Sequence, residues 1–228
     1  MKPIIWIEGI IGAGKTTISK ELAKRLNLRP MLEPVQSNPY LAMYYEEPQR
    51  WAFPMQIELL FRRFALQKLA AYEVTSESNF FGAILDRGLP GDRVFARLHM
   101  LEGNISDLEW QTYQRAYDIM TLSLFPPSLL IYLDVDPKVA LERLKERDRK
   151  EEVGIPLSYL EKVHRGYLDL MAEIESGRAA WSRGIEVLRI GWNTDHLPTE
   201  DLVKQLRRRF DIPPTTASQL SLWEFFSN

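Results

Sequence analysis

The sequence predicts an α/β fold in three layers, a parallel five-stranded sheet flanked by helices. Three observations lead there. Five short apolar runs, Ile4–Glu8, Arg29–Leu32, Phe80–Leu85, Leu129–Val135 and Glu186–Ile190, recur with longer stretches of helical period between them. The first run leads directly into Gly9-Ile10-Ile11-Gly12-Ala13-Gly14-Lys15-Thr16, a full match to G-x-x-x-x-G-K-[ST]. Three of the runs end in polar chemistry: the glycine-rich loop, Glu33-Pro34-Val35, and Asp86-Arg87. Open parallel sheets bind ligands outside the carboxyl ends of their strands, so these ends belong to one edge.

Taken in order, the loop Gly9–Thr17 (Gly9, Ile10, Ile11, Gly12, Ala13, Gly14, Lys15, Thr16, Thr17) is the candidate phosphate site. Its glycines let backbone N–H groups wrap an anion, Lys15 reaches terminal phosphates, and the Thr16 hydroxyl is a Mg²⁺ ligand. A helix follows over about Lys15–Leu26, with Ile18, Leu22 and Leu26 four apart on one face. Its N-terminus and positive dipole end point at the anion. Further helices are expected over Pro48–Tyr72, Ser106–Leu122, Pro137–Arg147, Pro156–Ser176 and Thr199–Arg209. Ser106 and Glu109 form a capping-box pattern, with Ile105 and Trp110 spaced for a hydrophobic staple. Asp136-Pro137 reads as an N-cap followed by proline at the first helical position. Ile212-Pro213-Pro214 stops the last helix. The tail beyond it, with Leu222-Trp223-Glu224-Phe225-Phe226, is apolar enough to pack on the body or on a partner.

Composition narrows the function classes. The 228 residues carry 45% apolar side chains and a net charge of −2, which supports a sizeable core and gives no global field for nucleic acid. There is no cysteine, so disulfides and thiolate metal sites are excluded and a reducing compartment fits. No apolar run approaches the ~20 residues of a membrane helix, and the opening is too short for a signal peptide. The expectation is a single soluble, cytoplasmic domain over 1–228, with neither nucleic acid nor membrane as partner.

Several polar groups admit two readings. Glu33 suits a general base for phosphoryl transfer to a hydroxyl, and equally a cap or surface charge before a proline turn. Asp86 closes a buried run in the manner of a metal-binding acid; Asp134 is its rival but sits in a strand-to-helix turn with Asp136. Arg87, beside Asp86, suits phosphate binding or a simple ion pair with its neighbour, and the small worth of surface ion pairs favours the former. Arg143 and Arg147 share a helical face opposite Leu141 and Leu144, and with Arg149 and Lys150 they suit an arginine lid over about 143–155. In Pro48–Tyr72, Trp51, Phe53, Phe61 and Phe64 are core candidates. Gln56 and Arg63 lie seven apart, about two turns, and so share a face from which an amide and a guanidinium could read a base edge.

Together these residues resemble the deoxynucleoside kinase family, and its bacterial-type deoxyadenosine/deoxyguanosine kinases in particular. The motifs are GIIGAGKTT at Gly9–Thr17, EPV at Glu33–Val35, NPYL then YYEEPQRWAFPMQ through Gln56, DRGLPGDRVFA at Asp86–Ala96, and ERLKERDRKEEVGIPLSYLEKVH at Glu142–His164. The resemblance implies a P-loop kinase fold and transfer of the ATP γ-phosphate to a deoxynucleoside 5′-hydroxyl, with Mg²⁺. It implies that Glu33 is the catalytic base, that Arg87 contacts phosphate, and that Asp86 and Thr16 serve the metal. Tyr45 and Glu152 match the positions that grip the 3′-hydroxyl, Gln56 the glutamine paired with the base, and Arg63 and Asp92 a pair beside it. Arg143, Arg147 and Arg149 match lid arginines. Asp92 accepts from an exocyclic amine and Arg63 donates to a carbonyl; the bacterial-type pattern favours purines, with deoxycytidine also accommodated. Homodimerisation through helices is the family habit, and Ser106–Leu122, with Trp110, Tyr113 and Tyr117, is the candidate surface. Feedback binding of a deoxynucleoside triphosphate is also implied. Where the family has serine after the acidic-arginine pair, this chain has Gly88, then Leu89-Pro90-Gly91. The alternatives are a thymidylate-type monophosphate kinase and a non-catalytic assembly subunit of the same fold.

Overall fold

In the computed structural model, residues 2–32, 38–147, 154–194 and 199–215 are described. Glu33, Arg149, Glu152 and the apolar tail lie outside them. Five strands alternate with eight α-helices among the described residues: β1 (Ile4–Glu8), α1 (Lys15–Leu26), β2 (Arg29–Met31), α2 (Leu41–Glu46), α3 (Pro48–Thr75), β3 (Ala83–Asp86), α4 (Leu89–Leu101), α5 (Asp107–Leu122), β4 (Leu129–Asp134), α6 (Pro137–Arg147), α7 (Leu157–Glu175), β5 (Val187–Gly191) and α8 (Thr199–Phe210). The sheet runs β2-β3-β1-β4-β5 with every pairing parallel. This order places the ends of β1 and β3 side by side, with Ile7 opposite Asp86.

Burial explains which runs became strands. All residues of β1 and β3 are buried, as are all but the last of β4, so their sequences read as continuous apolar runs rather than alternations. β2 and β5 form the edges and are only partly covered. Because strand side chains alternate, Trp6 and Glu8 project to one face of β1 and Ile5 and Ile7 to the other. Helices α3, α4 and α7 pack together in one layer, while α1 packs with α8. A smaller apolar cluster of Leu60, Leu89, Ala96, Tyr113 and Tyr117 ties α3, α4 and α5 together.

The chemistry of the helix ends is as expected at several places. Ser106 caps α5 and forms the reciprocal capping box with Glu109. The Asp136 carboxylate accepts from the Lys138 N–H at 2.8 Å, starting α6. Asn27 adopts φ 48° at the end of α1, returning its N–H to Ala23.

Two helices lie outside the expected ranges, and two expectations need correction. Helix α4 starts within Gly88-Leu89-Pro90-Gly91, a stretch outside the helix ranges expected from the sequence. In the structure Gly88 is an extended N-cap and Pro90 sits in the first turn, where proline loses no intrahelical bond. The short α2 likewise falls outside those ranges. The aromatic side of α5 is not a surface either: Tyr113 and Tyr117 are buried, and the exposed apolar residues of that helix are Leu108, Ile119 and Leu122. On α3, Phe61 is exposed rather than in the core.

Candidate active site

The phosphate loop is shaped by glycine. Gly12 and Gly14 adopt φ 81° and 83°, a region that disfavours other residues, and Gly14 is the N-cap of α1. Space gives a second reason. A Cβ on Gly14 would lie 2.4 Å from the indole of Trp192, and one on Gly12 would lie 2.5 Å from the Ala140 carbonyl. Lys15 is buried over the loop, its Nζ donating to the carbonyls of Gly9 at 3.1 Å and Ile10 at 2.9 Å. The Thr16 hydroxyl donates to the Asp86 carboxylate at the end of the neighbouring strand. A hydroxyl and a carboxylate are hard oxygen donors, the set that Mg²⁺ accepts.

Next to Asp86, Arg87 holds φ 78°, an unusual left-handed backbone for a side-chain-bearing residue. Its guanidinium lies 4.7 Å from the Phe95 ring centre and donates to the Tyr167 hydroxyl. Tyr167 in turn donates to Glu8 at 3.0 Å. The rival acid Asp134 faces His164 at 3.1 Å.

A second group gathers from three helices. Asp92, in the first turn of α4, is fully buried. It forms an ion pair with Arg63 of α3, accepts from the Tyr113 hydroxyl of α5 at 2.5 Å, and its carbonyl accepts from Gln56 Nε2 at 3.2 Å. The seven-residue spacing of Gln56 and Arg63 thus brings both onto Asp92. Burial raises the Tyr113 pKa well above its ordinary value, so this phenol stays a donor. Tyr45 of α2 is 52% exposed, its ring 5.3 Å from that of Tyr44.

Of the lid arginines, Arg143 stacks over Trp192 at 4.6 Å and donates to the carbonyls of Trp192 at 3.0 Å and Thr194 at 3.1 Å. It therefore reaches toward the segment after β5. Arg147 ends α6 and is exposed. The sequence did not mark Glu8, Tyr167 or Trp192 as site residues, and Tyr113 stood out only as part of the candidate dimer surface. An acid closing an otherwise apolar strand was the available signal for Glu8; the aromatics carried none that separates them from core residues.

Comparison with known proteins gives a consistent picture. A family model described as deoxynucleoside kinase matches residues 5–210. The deoxyadenosine kinase of Dictyostelium discoideum is 33% identical over 91% of this chain and 79% of its own length. The deoxyadenosine/deoxycytidine kinase of Bacillus subtilis is 37% identical over 72% of this chain and 74% of its own. Among solved structures, deoxyadenosine kinase from M. mycoides with bound dCTP superposes with a TM-score of 0.73 at 27% identity, covering 91% of this chain and 98% of that one.

Proposed function

The chain belongs to the deoxynucleoside kinase family, and from that membership we propose that it transfers the ATP γ-phosphate to the 5′-hydroxyl of a purine deoxynucleoside. The observation that carries the base preference is the buried Gln56–Arg63–Asp92 cluster, an acceptor, a cation and an amide converging at one place. Asp92 accepts from the exocyclic amine of adenine, and Arg63 donates to the carbonyl of guanine. Deoxycytidine, which also carries an amine, is a secondary substrate.

The donor end is assembled around Lys15, whose ammonium neutralises charge on the transferring phosphoryl group, with Arg87 and the lid residues Arg143, Arg147 and Arg149 sharing that task. Glu33, two residues past the end of β2 in the sequence, takes the proton of the 5′-hydroxyl. Thr16 and Asp86 would hold Mg²⁺, which when bound offsets charge between the β- and γ-phosphates. Tyr45 and Glu152 grip the 3′-hydroxyl. The triphosphate of the product deoxynucleoside spans donor and acceptor halves and inhibits competitively with ATP. Two copies associate through α3 and α5, which pack on each other and leave Phe61, Leu69, Tyr72, Leu108, Ile119 and Leu122 exposed. Absence of cysteine, and of any described helix long and apolar enough to cross a membrane, supports a cytoplasmic salvage enzyme.

The experiment is a kcat/KM panel with Mg²⁺-ATP over deoxynucleosides and their 5′-monophosphates. Deoxyadenosine and deoxyguanosine lead, thymidine trails and the monophosphates are inert. Phosphorylation of a monophosphate in preference to its nucleoside would transfer the chain to the nucleotide kinases, and an inert panel would leave an assembly subunit.

A further inference from the structure

Glu8 is a fully buried carboxylate that the reaction described above does not use. It closes β1 immediately before the phosphate loop. Its Oε1 accepts from the Gly88 N–H at 2.8 Å, and its Oε2 accepts from the Tyr167 hydroxyl at 3.0 Å. The same hydroxyl accepts from Arg87 Nη1. One carboxylate therefore holds Arg87 from two sides: through the amide of the following residue, and through a tyrosine on its guanidinium.

We propose that Glu8 is a positioning residue, fixing the backbone and guanidinium of Arg87 so that this cation meets the transferring phosphate without rearrangement. The inference rests on the kinase reading above. Two donors converge on the site, and an ionised carboxylate is the side chain that offers two acceptor oxygens with no competing donor. Left-handed backbone is uncommon at a residue with a side chain, so the Arg87 conformation persists only where its surroundings hold it. Packing shows that the chain makes room for this arrangement. A Cβ on Gly91 would lie 2.3 Å from Glu8 Oε2 and 2.7 Å from the Tyr167 oxygen. A Cβ on Gly88 would lie 2.8 Å from Trp6. The glycines at 88 and 91 thus let α4 start against Trp6, Glu8 and Tyr167. Burial raises the Glu8 pKa, while Arg87, the Gly88 N–H, Tyr167 and Lys15 act in the opposite direction and favour its charge.

Glu8→Gln, Tyr167→Phe and Glu8→Gln in an Arg87→Ala background test the assignment by kcat, nucleoside KM and Tm. Glutamine has one acceptor oxygen and cannot serve both donors. Each single change is expected to lower kcat about 10- to 100-fold with nucleoside KM within about threefold of the native value. Tm of the Glu8→Gln protein falls, because one buried donor is left unsatisfied and the buried Arg87 charge loses its counter-ion, so kcat is compared at a temperature where the variant is fully folded. In the Arg87→Ala background the same change has no further effect on kcat, since its route of action is gone. A Glu8→Gln enzyme with native kcat overturns the proposal, as does a loss that multiplies with Arg87→Ala or one that disappears when kcat is measured well below the Tm of the variant. Should Glu8→Gln not fold, Tyr167→Phe decides: native kcat there overturns it equally. A native chain inert toward every deoxynucleoside would instead sink the kinase reading, a separate outcome.

Discussion

The phosphate half of the site and the base half are built from different materials. Gly9–Thr17 is mostly backbone, bent by glycines with positive φ and aimed by the start of α1. Gln56, Arg63, Asp92 and Tyr113 are side chains from three helices that bond to one another inside the protein. A backbone cradle accepts any polyphosphate, because every nucleotide presents the same oxygens. Buried, mutually paired polar groups discriminate, because a base that mismatches them leaves a donor or acceptor unsatisfied in low dielectric. On the function proposed above, the first half handles phosphate and the second selects the base.

The sharpest way to break this division is through Asp92. Removing it as Asp92→Ala strands the Arg63 charge, and loss of one partner of a buried pair costs about 3–5 kcal/mol. Urea unfolding reads this directly; a loss near zero would mean that the base half is not a paired, buried network. Lys15→Ala attacks the other half. It lowers kcat/KM by about 10²–10³ for every deoxynucleoside by the same factor, while urea unfolding changes little. Glu33→Gln keeps nucleoside binding but lowers kcat by at least ~10²; near-native turnover removes its assignment as the base.

Acid sensitivity sharpens the contrast further. His99, on the same helix as Asp92, is buried against Tyr44, and burial pushes its pKa down from 6.5 to about 4. Folded-state depression means that the native state resists protonation. Stability present above pH 6.5 is lost as pH falls through that window toward 4, on the order of 3 kcal/mol. Tm between pH 7 and pH 4 measures it, and His99→Gln should flatten the slope over that window. The smallest effect is expected far from both halves. Arg25 and Glu200 join α1 to α8 through two bonds of 2.5 and 2.9 Å, but at the surface. Arg25→Ala should move Tm by no more than about 2 °C, in line with the small worth of exposed ion pairs.

The two halves also differed in how openly the sequence displayed them. The phosphate half is contiguous, so its motif, the preceding strand and the limits of α1 could be read from local pattern. The Thr16–Asp86 bond depends on β3 lying beside β1, an adjacency that parallel-sheet logic leaves open and the observed strand order supplies. Gln56 and Arg63 were visible as a face because helical spacing fixes it. Their meeting with Asp92 was not visible from periodicity, since Gly88-Leu89-Pro90-Gly91 disguises the start of α4; resemblance to the family supplied it. Tyr113 read as part of an aromatic surface because nothing in an aromatic stripe tells which side is buried. Glu8 was hidden for another reason. A carboxylate at a strand end looks like solvent exposure, and only the packing of α4 and α7 against it reveals a buried hub.

The division between chemistry and selection is tested most directly by the ratio of kcat/KM for deoxyadenosine to that for thymidine, measured in the native, Lys15→Ala and Asp92→Ala enzymes. The ratio should stay at its native value in Lys15→Ala and fall about tenfold or more in Asp92→Ala, where the partner of the amino group is gone and space opens beside the base. An unchanged ratio in Asp92→Ala, or an equal collapse in Lys15→Ala, would contradict the account.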